Sequence, residues 1–307
     1  MSGVRKRMPF IGAMVLLFMM LFSPALSAKT VTDLSGRKIA VEKPFARIIS
    51  LYGAHTENLF SLGLDKEIIG VSANESFPPE ALTRPVFSYH DDAEKFMAAK
   101  PDLVLTRPMI DRTCKPFVEK LEQAGITVVS LQPVGAEDMY AYWRDLGILT
   151  GRESAAEKMI ARFQKAVTEA GERIKKIAPE KRRRVYFEAI HSKMKTFSKD
   201  SMSMFVLRTA GGINIAEDAS QMRQTNIAAY GKERILAKAG EIDVFLAQQG
   251  TMNPVSVEII VNEPGFQAIK AVKNKEVHLI DELLVSRPTL RLIDGIRQIS
   301  RILYPAN

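Results

Sequence analysis

The stretch Ser154-Ala-Ala-Glu-Lys-Met-Ile-Ala-Arg-Phe-Gln-Lys-Ala-Val-Thr-Glu-Ala-Gly-Glu-Arg-Ile-Lys-Lys-Ile177 contains no turn signal other than Gly171. Apolar residues recur in it at helical spacing, among them Met159, Phe163 and Ala170. The spacing predicts one helix of about 24 residues, about 36 Å long at about 1.5 Å per residue. Pro179 then stops the helix. A single helix of this length can run the full height of two domains.

The segments on either side of this helix alternate between short β-branched runs and amphipathic stretches. Before it, the pattern predicts strands at 47–51, 68–71, 86–88, 102–105 and 127–131, with helices at 56–62, 94–99 and 114–124. After it, strands are predicted at 184–188, 243–246 and 276–280, with helices at 202–209, 233–239, 264–271 and 289–304. Such alternation is typical of parallel sheets covered by helices on both faces. We therefore predict an α/β fold of two Rossmann-like lobes with parallel sheets, residues 29–152 and 179–307, joined by one long backbone helix at 153–178.

The first 28 residues have the features of a cleavable signal peptide. A basic head at residues 5–7 is followed by an apolar run at 11–22 and by small residues at 23–28. The apolar run is too short to span a bilayer comfortably. Cleavage after Ser27 places Ala25 at the −3 position, and cleavage after Ala28 places Leu26 there, which fits less well. We expect the signal peptide, residues 1–28, to be removed and the rest of the chain to be exported to the periplasm.

Cysteine content and charge narrow the class of protein further. Cys114 is the only cysteine, which excludes an internal disulfide and any CxxC-type zinc or redox site. Because no cysteine lies at the expected cleavage point, we expect no lipid anchor. The formal net charge of +8 is spread along the chain and does not indicate nucleic acid as a partner. We expect the mature chain to be a soluble monomer.

Sequence motifs for catalysis are missing. The chain contains no G-x-S-x-G elbow, no H-E-x-x-H, no G-x-G-x-x-G and no P-loop. We therefore predict a binding protein and not an enzyme. A secreted hydrolase on a two-lobed α/β scaffold is the alternative from another class.

Three of the four histidines, His55, His90 and His191, lie in loops that follow predicted strands. Ligands of open parallel sheets bind beyond the carboxyl ends of the strands, and two facing sheets would place those ends on a shared cleft. Neutral imidazole binds most transition metals, so these three residues are a candidate metal site. Local hydrogen bonding of each histidine is the alternative.

Tyrosines and arginines accompany the histidines. Tyr52 and Tyr89 lie in the same loops, and Arg107 and Arg287 lie near other strand exits. Tyrosinate is an iron and haem ligand, and guanidinium forks match carboxylates and other anionic chelate groups. The predicted ligand-binding residues are therefore Tyr52, His55, Tyr89, His90, Arg107, His191 and Arg287.

Several segments together carry a family resemblance. Val31-Thr-Asp-Leu-Ser-Gly-Arg37 is followed by Arg47-Ile-Ile-Ser-Leu51 with Thr56-Glu57, and later by Lys100-Pro-Asp-Leu-Val-Leu105 and Ala210-Gly-Gly-Ile-Asn214. In this order they resemble the periplasmic binding proteins that deliver iron-siderophores, haem and cobalamin to ABC importers. The resemblance covers essentially the whole mature chain. It implies two lobes bridged by a long helix, with a small closure on binding and not a wide clamp.

The resemblance also implies partners. Members of this family place one exposed glutamate on each lobe, which pairs with arginines of the membrane permease. By position these are Glu94, six residues before Lys100, and Glu233. The expected partners are therefore the permease subunits of an ABC importer in the inner membrane. Exposed ion pairs contribute little energy each, so two of them would set orientation and association rate more than affinity.

The resemblance leaves the ligand open. We predict capture of an iron(III) chelate of the siderophore type, or a related metal complex, between the two lobes. A haem or corrinoid carrier is one alternative; haem would need Tyr or His on the iron and Arg on the propionates. A bare transition-metal-ion binder using His55, His90 and His191 is another. No catalytic cofactor is expected, because the metal would belong to the ligand.

Overall fold

The computed structural model describes Gly3, residues 29–223 and residues 225–305 of the 307-residue chain. The predicted signal peptide, residues 1–28, therefore lies outside the described residues apart from Gly3. Within the described part of the chain, no helix is both long and apolar enough to cross a membrane.

The strands of the N-terminal lobe form a hairpin and a parallel sheet. β1 (Lys29–Thr32) and β2 (Lys38–Val41) pair in antiparallel fashion and are not among the predicted elements. The sheet strands are β3 (Ile48–Ser50), β4 (Ile68–Ser72), β5 (Val86–Phe87), β6 (Leu103–Thr106) and β7 (Thr127–Ser130). They are parallel, in the order β5-β4-β3-β6-β7. The central strands β3 and β6 are buried along their whole length, as expected for a sheet covered on both faces.

Helices connect these strands. They are α1 (Gly53–Ser61), α2 (Ala93–Ala99), α3 (Pro108–Thr113), α4 (Lys115–Gln123) and α5 (Ala136–Thr150), with a short 3-10 turn at Pro79–Thr83. The predicted helix at 114–124 corresponds to α4. The 15-residue helix α5 is not among the predicted elements, because its aromatic and glycine residues have weak helix propensity and it is stabilised by tertiary packing.

The long helix predicted from the opening stretch is present. α6 runs unbroken from Glu153 to Lys175, 23 residues, or about 35 Å at about 1.5 Å per residue. It packs along α5, where the rings of Trp143 and Phe163 lie 5.4 Å apart and nearly perpendicular. Gly151, with φ +64°, ends α5 in the left-handed conformation and lets the chain enter α6.

The C-terminal lobe contains a mixed sheet. Its strands are β8 (Arg184–Ile190), β9 (Lys195–Phe197), β10 (Ile213–Asn214), β11 (Ser220–Gln221), β12 (Ile227–Ala229), β13 (Val244–Gln249) and β14 (Val277–Asp281). The order is β11-β12-β9-β8-β13-β14, with β10 beside β8. β8, β13 and β14 are parallel, but β9 is antiparallel to β8, and the β11–β12 pair continues that side. The parallel strands β8, β13 and β14 agree with the predicted parallel sheet. The antiparallel strands β9, β11 and β12 extend it on the other side of β8, because the short turn after β8 permits only an antiparallel return.

The helices of the C-terminal lobe are α7 (Met202–Thr209), α8 (Lys232–Ala237), α9 (Val257–Val261), α10 (Lys270–Lys273) and α11 (Leu292–Leu303). Short 3-10 turns lie at Pro179–Lys181, His191–Lys193, Phe266–Ala268 and Glu282–Leu284. The predicted helix at 264–271 is instead a 3-10 turn and α10, separated by Ile269 in an extended conformation.

A single hydrophobic cluster extends through both lobes. It joins Ile48 and Leu103 of the N-terminal sheet to Phe163 of α6 and to Phe187 and Leu246 of the C-terminal sheet. Each lobe also has a smaller cluster of its own. A shared apolar core resists large relative motion of the lobes. The domain boundaries at residues 152 and 178 stay predictions.

Candidate functional site

The candidate site is built around the first residues of α1, at the carboxyl end of β3. Tyr52 is the N-cap residue, with an extended backbone and no side-chain capping hydrogen bond. The first turn of α1 contains no acidic residue. The N-terminal end of a helix carries a partial positive charge, so this end of α1 favours a negative group nearby.

Two arginines approach this helix end from different lobes. The guanidinium carbon of Arg107, which follows β6, lies 5.0 Å from the centre of the Tyr52 ring. Arg287 comes from the C-terminal lobe, and its Nη2 donates a hydrogen bond to the carbonyl of Asn74 at 3.2 Å. A Cβ atom on Gly53 would lie 2.4 Å from Arg287 Nη1, so the guanidinium group packs directly against the backbone of this glycine. The structure thus brings together Tyr52, Arg107 and Arg287, which we call the Tyr52 group.

The electrostatics of this group are unusual. Burial raises the pKa of the Tyr52 phenol, while Arg107 and Arg287 act in the opposite direction. Arg287 Nη1 is buried and finds no hydrogen-bond partner among the described residues. Burial also raises the pKa values of Glu57 and Glu75, two carboxyl groups whose pKa the charge of Arg287 lowers.

His55 lies beside Tyr52 but has no free ring nitrogen. Its Nδ1 accepts a hydrogen bond from the hydroxyl of Tyr142 at 2.7 Å, and its Nε2 donates to the carbonyl of Thr106 at 2.8 Å. The residue is completely buried, and burial lowers its pKa to about 4. His55 is therefore a neutral, structural histidine, and its predicted role as a ligand is not supported.

Tyr89 and His90 form a separate pair. Their rings lie 4.2 Å apart, and His90 is exposed. In the hydrogen bonds and ring contacts of the described residues, neither side chain is linked to Tyr52. The structure therefore does not join this pair to the Tyr52 group.

His191 occupies the turn after β8 and is 7% exposed. Its Nδ1 lies 3.0 Å from Glu188 Oε1, and Glu188 is fully buried. The hydrogen bond with Glu188 raises the pKa of His191 above its ordinary value, although burial opposes this. Among the described residues, no three His, Cys, Asp or Glu side chains are grouped so that they could hold a metal ion. The structure therefore does not support the predicted three-histidine metal site. Both ring nitrogens of His55 are hydrogen-bonded, His90 is exposed, and His191 lies between the carboxylates of Glu188 and Glu263.

Polar contacts that the sequence does not predict join the two lobes, and we call them the polar seam. The carbonyl of Pro288 accepts hydrogen bonds from Asn58 Nδ2 at 3.0 Å and from Trp143 Nε1 at 3.3 Å. Arg291 lies 4.7 Å above the Phe77 ring, and its Nη1 is 3.9 Å from Glu57 Oε2. The only signal for this seam in the sequence is the arginine-rich segment after the last strand. Of that segment, only Arg287 is among the predicted ligand-binding residues.

The predicted docking glutamates occupy equivalent positions in the two lobes. Glu94 lies in the first turn of α2 and Glu233 in the first turn of α8, and both are exposed. A carboxylate at such a position also suits the helix dipole. Their exposure leaves both side chains accessible to a partner, and their docking role stays a prediction.

Two cavities of the surface lie away from these residues. One, of about 320 Å³, is lined by charged residues around Arg183 and Asp243. The other, of about 360 Å³, lies between α6 and α11. Neither is lined by any of the predicted ligand-binding residues.

Comparison with known proteins gives a consistent set of relatives. A substrate-binding lipoprotein of an ABC transporter from Bacillus subtilis, YvrC, described as uncharacterized, is 25% identical over 282 residues, 90% of this chain and 85% of the relative. A vitamin B12-binding protein of Vibrio cholerae is 24% identical over 262 residues, 84% of this chain and 89% of the relative.

A solved structure from Staphylococcus epidermidis, described as a possible iron-binding periplasmic solute-binding protein, has a TM-score of 0.72. It is 26% identical, and the match covers 85% of this chain and all of that one. The model of the family described as "Periplasmic binding protein" matches residues 48–283. The match spans both sheets and α6, and with these relatives it confirms the family predicted from the sequence. The chain belongs to the periplasmic binding protein family.

Proposed function

We propose that the mature chain captures an iron(III) chelate of the siderophore type, or a related metal complex, between its lobes and delivers it to an ABC importer permease. One observation carries the proposal: Tyr52 and Arg107 of one lobe and Arg287 of the other converge on the N-terminal end of α1. A ligand bound there would touch both lobes, and closure would strengthen its contacts.

The chemistry of this group suits an anionic chelate. Guanidinium groups bind carboxylate, catecholate and similar oxygen groups through charge-assisted hydrogen bonds, which are about twice as strong as neutral ones. Tyr52 adds an aromatic surface that the ring of a ligand can pack against. Micromolar to nanomolar capture corresponds to about 8–12 kcal/mol, which a few charged contacts with aromatic burial can supply.

Delivery is proposed to proceed through Glu94 and Glu233. Both are exposed at the first turn of a short helix, one on each lobe. Permease arginines that pair with both glutamates would orient the binding protein across the translocation path. The pairs contribute mainly to association rate and orientation, since exposed ion pairs are weak.

A corrinoid ligand is the second candidate. The observation in its favour is the likeness to the vitamin B12-binding protein of Vibrio cholerae over 84% of this chain. A haem carrier is a third candidate. It would require Tyr or His on the iron and Arg on the propionates, and Tyr52 lies beside Arg107. A bare-ion binder through the three histidines is not proposed, because their ring nitrogens are not grouped.

We also propose where the protein is located and that it binds its ligand without catalysis. We place the mature chain in the periplasm after removal of residues 1–28, without a lipid anchor and as a monomer. The relatives named above are solute-binding proteins, which supports binding without catalysis. The hydrolase alternative is tested by a turnover screen with ester, phosphate and peptide substrates, for which we expect no turnover.

The test of the ligand class is purification of the mature chain from its native host, followed by an absorption spectrum and elemental analysis. We expect iron and a charge-transfer band of a ferric chelate. Cobalt would favour the corrinoid candidate, and a Soret band would favour haem. A protein that carries no metal complex after growth under iron limitation would contradict the proposal.

A further inference from the structure

His191 lies in a row of charged groups that leads from the core of the C-terminal lobe to α8. Its Nδ1 is 3.0 Å from Glu188 Oε1, and its Nε2 is 3.7 Å from Glu263 Oε2. Glu263 Oε1 in turn accepts a hydrogen bond from Lys232 Nζ at 2.6 Å. Lys232 is the first residue of α8 and directly precedes Glu233. The row therefore ends at the residue next to the proposed docking glutamate.

The row is balanced only when the imidazole is protonated. Glu188 is fully buried, and burial raises the pKa of its carboxyl group, whereas the neighbouring His191 lowers it. An unpaired buried carboxylate is costly, so the charge of Glu188 depends on the imidazolium beside it. When His191 is charged, the charges alternate along the row: Glu188 is negative, His191 positive, Glu263 negative and Lys232 positive. With His191 neutral, two carboxylates share a single cation. The charged groups that face His191 are Glu188 on β8, Glu263 after α9 and Lys232 on α8.

Other contacts around His191 are neutral and fix its backbone. Its N–H donates to Asn253 Oδ1 at 2.9 Å, and its ring lies 6.1 Å from the Phe266 ring. The turn that carries His191 also reaches α8 directly, because the N–H of Gly231 donates to the carbonyl of Met194 at 3.0 Å. The Nε2 atom is buried and has no hydrogen-bond partner among the described residues. In the imidazolium, Nε2 carries a proton that it can donate to Glu263. In the neutral ring with its proton on Nδ1, the lone pair of Nε2 would face the carboxylate of Glu263, which is unfavourable.

We infer that His191 is a positioning residue for the docking helix: as an imidazolium held between Glu188 and Glu263, it fixes the Lys232–Glu263 pair and thereby α8. The inference rests on the proposed docking role of Glu233 for its functional meaning. It links the carboxyl end of β8, where the ligand cleft is expected, to the surface that meets the permease. Deprotonation of His191 removes the central cation and loosens α8.

The inference is tested by hydrogen exchange of the peptide that covers residues 231–238, measured by mass spectrometry in the mature chain across the titration of His191. After correction for the intrinsic rate, we expect slow exchange at acidic pH and several-fold faster exchange once His191 is neutral. His191→Gln should give fast exchange at every pH. Glu263→Gln keeps the buried Glu188–His191 pair and should also raise exchange, which covers the case in which His191→Gln does not fold.

Two controls separate this inference from the docking proposal. His90→Gln changes an exposed histidine of the other lobe and should leave the pH profile intact. Glu233→Arg should impair uptake but leave the exchange of α8 dependent on pH. The inference is overturned if the pH profile of α8 survives in His191→Gln or if Glu263→Gln leaves exchange unchanged. The docking proposal fails separately, if uptake tolerates the charge reversals at Glu94 and Glu233.

Discussion

His55 and Arg107 follow neighbouring strands of the same parallel sheet, yet they have different environments. His55 is closed off by a chain of hydrogen bonds in which Asn58 donates to Tyr142, Tyr142 to His55, and His55 to the carbonyl of Thr106. Arg107 is only partly buried, and its guanidinium lies over the ring of Tyr52. The residue type and the loop position are therefore not sufficient to distinguish a structural residue from a ligand-binding one.

Arg107→Ala is predicted to weaken ligand binding without unfolding the chain. One charge-assisted hydrogen bond is worth about 1.5–3 kcal/mol, which corresponds to about a 10- to 150-fold loss of affinity. The measurement is a calorimetric titration with the ligand recovered from the native host. Arg112→Ala, which removes an exposed arginine of α3, is the matched control and should bind normally. Equal affinities of the two variants would contradict the assignment of Arg107.

His55→Leu is predicted to destabilise the fold. The change leaves the Tyr142 hydroxyl proton without its acceptor, at a cost of about 1–3 kcal/mol. It also removes one of two donors to the Thr106 carbonyl, which still accepts a hydrogen bond from the N–H of Leu131. The free energy of unfolding in urea measures this loss. The metal content of protein isolated from the host should be unchanged among the molecules that fold. A folded variant of normal stability that had lost its metal would instead make His55 a ligand.

The pKa of His55 also predicts a pH dependence of stability. The pKa is about 4 in the folded chain against 6.5 for a free side chain, so the unfolded state takes up its proton first as the pH falls. The contribution of His55 is fully present above pH 6.5 and is lost as the pH falls towards 4. The difference in unfolding free energy between wild type and His55→Leu should therefore shrink over this range. A difference that is constant with pH would show that His55 titrates normally.

At the scale of elements, the glycines of α5 and α6 differ in how closely their surroundings are packed. A Cβ on Gly171 of α6 would meet nothing within 4 Å, whereas a Cβ on Gly147 of α5 would lie 2.9 Å from the Cβ of Ala156. The two positions therefore differ in space although both are helical. They offer a matched pair of Gly→Ala changes.

Gly171→Ala is predicted to stabilise the protein by about 0.5–1 kcal/mol, because alanine restricts the unfolded chain and favours the helix. Gly147→Ala is predicted to destabilise it by about 1–3 kcal/mol, because the added methyl group forces α5 and α6 apart. Urea denaturation of both variants measures the difference. If Gly171→Ala were destabilising, α6 would not be the regular, solvent-facing helix described at that position.

The sequence was sufficient for the elements with strong local patterns. α6 and the parallel strands β3, β4, β6 and β7 follow directly from apolar periodicity. It was not sufficient for the short antiparallel strands β9, β11 and β12, whose pairing depends on a hairpin register that no local pattern specifies. The interlobe contacts of Pro288 could not be predicted either, because they join residues more than a hundred positions apart in the chain.

At the scale of the whole molecule, the shared core and the polar seam at Pro288 hold the lobes together while the Tyr52 group lies where they meet. Glu94→Arg combined with Glu233→Arg is predicted to abolish uptake and to leave ligand affinity intact, because both side chains are exposed at the first turn of a helix and are not part of that group. Growth on the transported compound and a binding titration measure the two effects. Glu119→Arg, on the exposed face of α4, is the control and should transport normally. Loss of affinity in the double variant would contradict a role confined to docking.

One comparison measures whether arginines of both lobes hold a metal complex at the N-terminal end of α1. Wild type and the Arg107→Ala, Arg287→Ala double variant are isolated from the native host under iron limitation, and the metal bound per chain is measured. We expect a stoichiometric metal complex on the wild type and its loss from a double variant that still folds. Equal metal content in the two proteins, or none in the wild type, would contradict this expectation.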